Sequence, residues 1–130
     1  MAQMETQPAR ATGLIVAAGA SRRMGFDKIT APLAGQPLVT WSLAAFEACE
    51  DIGSCVLVCA ESRVAEFTAL AAPYKKFQAV VPGGAERAES VLNGLRAIGA
   101  SGGTLVAVHD AARPLVTAAL ISRVVAAAAE

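Results

Sequence analysis

Three short stretches hold the residues with chemistry to offer. Gly19-Ala20-Ser21-Arg22-Arg23 follows the apolar run Leu14–Ala18, and Lys28 stands a few residues further on. Gly83-Gly84-Ala85-Glu86-Arg87 leads to Ser90, and His109-Asp110-Ala111-Ala112-Arg113 closes another apolar run. Glycine turns let a ligand approach the backbone closely and present N–H groups to anions. Asp110 is a hard oxygen ligand, suited to Mg²⁺ when phosphate oxygens fill the rest of the shell. Phosphoryl and nucleotidyl transfer need this combination, because charge builds on non-bridging oxygens and a preorganised donor there is worth roughly 3–4 kcal/mol. Arg23 and Lys28 are the cations assigned to that charge. Two adjacent arginines do not readily point the same way, so Arg22 faces solvent or another carboxylate as readily as a ligand.

Each stretch also has a plainer reading. The first lacks both the Gly-Lys-Ser/Thr ending of a P-loop and G-x-G-x-x-G spacing, and would otherwise be a strand-to-loop corner with a solvated basic tip. The second would be a tight strand–helix turn whose Glu86 favours the helix dipole. The alternative is that the helix N-terminus holds an anion or a polar base edge, with the Ser90 hydroxyl free to donate or accept. For the third, Asp110 would be a salt-bridge or N-cap partner of Arg113. His109 alternates with Asp110 along the strand, so it faces the opposite way and packs.

The elements that must position these residues follow from hydrophobic periodicity. Leu14–Ala18 is a short continuous apolar run, the pattern of a strand buried on both faces, and Cys55–Ala60, Phe77–Val81 and Thr104–Val108 read as the second, third and fourth strands. Thr104–Val108, almost wholly apolar, fits a central strand with neighbours on both sides; if residues beyond Glu130 supply one of them, this chain carries an open hydrophobic edge. Between the runs, Pro37 heads a helix whose face carries Val39, Leu43 and Phe46, with Leu38, Trp41 and Ala45 beside it. Glu61–Ala72 forms a second helix facing inward through Val64, Phe67 and Leu70–Ala71, and Pro73 stops it. Glu86–Ile98 forms a third, with Ala88, Val91, Leu92, Leu95 and Ile98 on one face. Thr117 caps a last helix, and Lys28–Gly35 is a loop punctuated by Pro32 and Gly35. Alternating strands and helices predict a Rossmann-like α/β fold, a mostly parallel sheet with helices on both faces. Right-handed crossovers then gather the carboxyl ends of the strands, and with them all three stretches, at one edge.

Composition excludes several classes. The 130 residues carry 11 acidic and 11 basic side chains, so no global field steers the protein to nucleic acid or an anionic membrane. Residues 1–12 read as a disordered tail and 13–130 as one domain. No apolar stretch is long enough to span a bilayer. Cys49, Cys55 and Cys59 fit neither a metal-ligand pattern nor a disulfide framework, and buried free thiols suit a reducing cytoplasm.

With these residues assembled, the sequence resembles the 2-C-methyl-D-erythritol 4-phosphate cytidylyltransferase family of the non-mevalonate isoprenoid pathway. Ala17-Ala18-Gly19-Ala20-Ser21-Arg22-Arg23-Met24 looks like the signature shared by many sugar-phosphate nucleotidylyltransferases. Val108-His109-Asp110-Ala111-Ala112-Arg113-Pro114 is more specific to this family, and Gly83-Gly84, Glu86-Arg87 and Ser90-Val91 are similar to its cytidine-recognition segment. The resemblance implies a sheet of the nucleotide-diphospho-sugar transferase type. It also implies in-line attack of the substrate phosphate on the α-phosphorus of CTP, with release of pyrophosphate. Ala17, Ala18 and Gly19 would lie along the nucleotide, Arg23 and Lys28 would stabilise the pentavalent α-phosphate, and Gly84, Ala85 and Ser90 would read the base and position the ribose. Asp110 would help hold Mg²⁺, Ala111 would touch the nucleotide, and Arg113 would lie close to the methylerythritol phosphate.

The family often has an acidic residue where this chain has Ala85, and a proline where it has Asp27. Family members continue past the position of Glu130 into further strands, a dimer arm and another metal carboxylate. On the resemblance the chain therefore reads as an amino-terminal piece, itself weakly active or inactive, of a homodimeric cytoplasmic enzyme. The competing readings are a pentitol-phosphate or molybdenum-cofactor cytidylyltransferase using the same first motif, and a non-catalytic Rossmann-like nucleotide-binding domain.

Overall fold

A computed structural model describes residues 11–18, 30–99, 105–113 and 116–129. Gly19, Arg22, Arg23, Lys28 and Thr104 lie outside the described residues. Four strands form one parallel sheet: β1 (Ala11–Val16), β4 (Ile52–Cys59), β5 (Phe77–Pro82) and β6 (Leu105–Asp110), in the order β5-β4-β1-β6. β1 is buried along its whole length between β4 and β6, with Leu14 opposite Val56 on one side and Val108 on the other. Leu14, Val16, Val56 and Val58 face one side of the sheet, and Ile15, Cys55, Leu57 and Cys59 the other. The uninterrupted apolar runs reflect burial on both faces.

The helices follow from crossover handedness. The steps β1 to β4 and β4 to β5 go one way along the sheet and place α1 (Leu38–Ala48) and α2 (Val64–Ala71) on one face. The step from β5 to β6 returns past β4 and β1, which sends α3 (Arg87–Ile98) to the opposite face. α4 (Ala118–Ala129) packs beside α1, and the Thr117 hydroxyl accepts the Leu120 N–H at 3.1 Å as its cap. The strand order reverses between β1 and β6, where open α/β sheets open a crevice at their carboxyl ends.

Several sequence expectations need correction. β1 begins at Ala11 rather than after residue 12, because the Ala11 N–H reaches the Asp51 carbonyl at 3.0 Å and draws Ala11 and Thr12 into the sheet. β4 starts at Ile52, whose side chain is buried, and the second helix opens with a 3₁₀ turn, Glu61–Arg63. The loop before α1 contains a two-residue hairpin, β2 (Pro32–Leu33) with β3 (Gln36–Pro37). Its turn residues Ala34 and Gly35 have φ of 51° and 90°, the primed-turn geometry that glycine eases. Trp41 is no core residue: its Nε1–H donates to the Leu33 carbonyl at 2.8 Å and ties the hairpin to α1. β6 has β1 as its one partner among the described residues, and Val108 is exposed, so the apolar strand presents the open edge expected of it in this chain.

The largest difference concerns α3. Ser90 and Gly94 are its buried residues, with Val91 and Ile98 packed alongside, while Leu92 and Leu95 are exposed. A Cβ on Gly94 would sit 2.7 Å from Leu14 Cδ1 and 3.0 Å from Val58 Cγ2. The missing side chain lets the helix lie close on the sheet and rotates the leucines away from it. Gly94→Ala therefore sets two effects against each other. Alanine raises helix propensity by about 1 kcal/mol, and overpacking against the fully buried Leu14 costs about 1–3 kcal/mol. The expected outcome is a net loss of stability in denaturant unfolding; a rise in midpoint would show that the interface can yield.

Candidate active site

Three backbone hydrogen bonds carry the sheet ladder past the strand ends. The Ala17 N–H donates to the Val58 carbonyl at 2.6 Å, the Ala111 N–H to the Val16 carbonyl at 2.9 Å, and the Gly83 N–H to the Cys59 carbonyl at 2.7 Å. They bring the segments after β1, β5 and β6 to one cleft of about 350 Å³. Val16 and Ala18, Gly84 to Arg87 with Ser90, and Asp110, Ala112 and Arg113 line it. A groove of similar size, about 370 Å³, lies at the other edge over α2 and β5, where Lys75 is the one charged residue lining it. The first cleft combines glycine backbone, cations and a carboxylate; the second does not.

Of the sequence candidates, Ala18, Gly84, Ala85, Ser90, Asp110 and Arg113 line the cleft. Ala17 and Ala111 are buried in the core cluster on the α1 face, so their contribution to a ligand is backbone alone. Gly19, Arg23 and Lys28 lie outside the described residues. Ser90 is 1% exposed, and its Oγ accepts the Gly84 N–H at 3.1 Å. A Cβ on Gly83 would strike Ser90 Oγ and lie 2.8 Å from the Ala18 methyl. Glycine at 83 is thus required by the approach of α3 to the end of β1. The hydroxyl that braces this loop still has its own proton to donate.

The N-terminus of α3 is capped by its own side chains. Glu86 is the N-cap, and it forms a reciprocal capping box with Glu89, whose Oε1 accepts the Glu86 N–H at 3.2 Å. That is the plainer of the two sequence readings. An anion at this terminus would meet the Glu86 carboxylate, so among the described residues the cleft's positive charge comes from Arg87 and Arg113.

Asp110 does not pair with Arg113 as the spacing suggested. The Arg113 backbone N–H donates to the Asp110 carbonyl at 3.1 Å, forming a turn, and the carboxylate instead meets Arg87. Arg87 Nε donates to Asp110 Oδ1 at 3.0 Å, with the two side chains 59% and 38% exposed. An ion pair so exposed is worth about 0–1 kcal/mol. Arg87 is the site residue that sequence reasoning did not single out. A partner 23 residues away has no local signal, and only the topology brings the pair together.

His109 packs on the far face as expected. Its Nε2 lies 2.9 Å from the Ser42 hydroxyl of α1, and its ring sits 5.7 Å from that of Phe46. Ser42 is fully buried, so this contact satisfies a polar group that would otherwise cost stability. Burial pushes the His109 pKa below its ordinary value, opposed by a backbone hydrogen bond with Arg113 and the charge of Asp110. The three cysteines are buried and free. Burial pushes the Cys55 thiol up to about 12 and Cys59 to about 11, so neither is a nucleophile at neutral pH. Among the described residues no cluster of three or more His, Cys, Asp or Glu could hold a metal, and no helix is long and apolar enough to cross a membrane.

The parallel sheet, the cleft at its switch point and the glycine-rich turn into α3 define an α/β domain of the nucleotide-diphospho-sugar transferase fold. Residues 12–130 match the family model described as IspD: 2-C-methyl-D-erythritol 4-phosphate cytidylyltransferase, and the chain belongs to that family. It is 42% identical over 123 residues to the enzyme of that name from Syntrophotalea carbinolica, covering 88% of this chain and 52% of the relative. The Cereibacter sphaeroides enzyme is 41% identical over 116 residues, with the same coverage. The crystal structure of 4-diphosphocytidyl-2C-methyl-D-erythritol synthase from Anaerococcus prevotii superposes with a TM-score of 0.76 at 23% identity, covering 90% of this chain and 49% of that one. The chain spans about half the length of the curated relatives it matches.

The lowered His109 pKa has a consequence for stability. The unfolded chain takes up a proton as pH falls below about 6.5, whereas the folded one resists until lower pH. The contribution is therefore fully present above that value and is lost as pH falls toward the folded pKa. Between about pH 7 and pH 5, the unfolding midpoint should drop more steeply in the native chain than in His109→Asn. Parallel slopes would mean that His109 is not buried in its neutral form.

Proposed function

We propose that this chain carries the CTP-binding part of a cytidylyltransferase that transfers CMP to 2-C-methyl-D-erythritol 4-phosphate, releasing pyrophosphate, in isoprenoid precursor synthesis. The observation that supports this most is the meeting, in one cleft, of the Gly83–Ser90 and Asp110–Arg113 stretches from a chain of that family. In this reading the backbone at Ala17, Ala18 and Gly19 follows the triphosphate. Gly84 and Ala85 offer backbone to the cytosine edge, and Ser90 fixes the loop that carries them. Arg23 and Lys28 meet the charge that grows at the α-phosphate, and Arg113 approaches the acceptor phosphate.

A divalent cation belongs to this reading, and the residues fit one kind of site only. Asp110 lines the cleft at the end of β6 with its Oδ1 engaged by Arg87, and Glu86, at the N-cap of α3, is a second carboxylate lining it. Asp110 fits Mg²⁺ whose remaining ligands would be phosphate oxygens, since among the described residues no group of three or more His, Cys, Asp or Glu could form an all-protein cage. Such a cation neutralises the developing phosphate charge. The partners that go with this reading are CTP, methylerythritol phosphate and a second copy of the subunit, in the cytoplasm.

Calorimetric titration of the chain with CTP and ATP, each with and without Mg²⁺, tests the proposal. CTP with Mg²⁺ should bind at least about tenfold more tightly than ATP, a difference of about 1.4 kcal/mol. Equal affinities, or affinities indifferent to Mg²⁺, would contradict the base-reading and metal assignments.

A further inference from the structure

Arg87 occupies a position that helix electrostatics disfavours. It is the first residue of α3, where the macrodipole prefers an anion. Its guanidinium leaves the helix and reaches Asp110 at the end of β6, on the other side of the cleft. The pair is too exposed to add much to stability, and Asp110 Oδ1 accepts from no other described residue. Arg87 is thus a cation set on the carboxylate that lines the cleft at the end of β6, held by a contact that is easily exchanged.

From this we infer that Arg87 is a positioning residue that guards Asp110: its guanidinium competes with a divalent cation for the carboxylate and passes to phosphate oxygens when the cation takes it. The inference rests on the nucleotide reading of the cleft and adds to it the residue that couples metal and phosphate binding. A guanidinium 3.0 Å from Oδ1 repels a second positive charge at the same carboxylate. The same guanidinium, once displaced, stands among Gly84, Ser90 and Arg113, where a planar fork of donors suits phosphate oxygens. Metal alone should then bind weakly. Phosphate and metal together should bind cooperatively, each removing the obstacle to the other.

The test uses Mn²⁺ as the cation probe and inorganic pyrophosphate as the phosphate probe. Amide spectra of ¹⁵N-labelled chain are titrated with Mn²⁺ alone, following paramagnetic broadening at Ala111 and Arg113, in the native chain, Arg87→Gln and Asp110→Asn. Because the pair is exposed, both variants should keep the native spectrum elsewhere, which the same experiment reports. Arg87→Gln should reach half-broadening at about three- to fivefold lower Mn²⁺, the range an exposed ion pair can supply, and Asp110→Asn should lose the broadening. Pyrophosphate without metal should bind Arg87→Gln about three- to fivefold more weakly than the native chain. Equal Mn²⁺ midpoints, broadening that survives Asp110→Asn, or unchanged pyrophosphate affinity would overturn the exchange. If CTP fails to bind while both probes behave as expected, the exchange stands and the cytidine reading falls. If CTP binds with Mg²⁺ and the Mn²⁺ midpoints coincide, only the exchange falls.

Discussion

The site depends on three hydrogen bonds at the carboxyl edge of the sheet, Ala17 to Val58, Ala111 to Val16 and Gly83 to Cys59. Each continues a parallel ladder one residue beyond a strand and so fixes where the following segment departs. Parallel pairing requires them to share an edge, because every strand end at that edge has the same polarity. β1 is the common member. Its carbonyl at Val16 receives the β6 segment, its N–H at Ala17 reaches β4, and β4 in turn receives the β5 segment. Loss of register in β1 would scatter all three stretches.

Around that edge the structure separates what holds from what is free to act. Below the cleft, Ser42, His109 and Phe46 form a buried contact between α1 and β6, so the residue next to Asp110 is anchored in the core. On the opposite face, Ser90 and Gly94 bring α3 close to β1, and Ser90 holds Gly84 from beneath. The cleft residues Arg87, Asp110 and Arg113 add little to the fold. Arg87 opens α3, Asp110 ends β6 and Arg113 follows in the turn, with their charges accessible, an arrangement suited to electrostatic stabilisation of a transferring phosphoryl group.

Much of the fold was legible, and the failures have physical causes. The apolar runs of β1 and β4 mark strands buried on both faces, which show no alternation, while the runs of β5 and β6 belong to half-buried strands at the two edges of the sheet. Parallel strands joined by right-handed crossovers end at one edge, so the gathering of the three strand-end stretches is legible in the alternation of strands and helices, whereas the strand order is not. The face of α3 was misjudged because apolar periodicity counts side chains and cannot see that Gly94 makes the closest approach by having none. The apolar composition of β6 calls for a neighbour on each side, and with β1 alone beside it among the described residues Val108 stands exposed. The Asp110 partner was sought three residues away at Arg113, whereas the fold supplied Arg87 from another element. Sequence spacing predicts contacts within an element and is silent on contacts between them.

The central claim is that these three strand-end segments form one nucleotide site. Chemical-shift mapping of the ¹⁵N-labelled chain on addition of CTP with Mg²⁺ tests it most directly. The account predicts perturbations concentrated at Ala17–Ala18, Gly84–Ser90 and Asp110–Arg113, with the groove over Thr68–Val80 unchanged. Perturbations confined to that groove, or to one of the three segments alone, would contradict it.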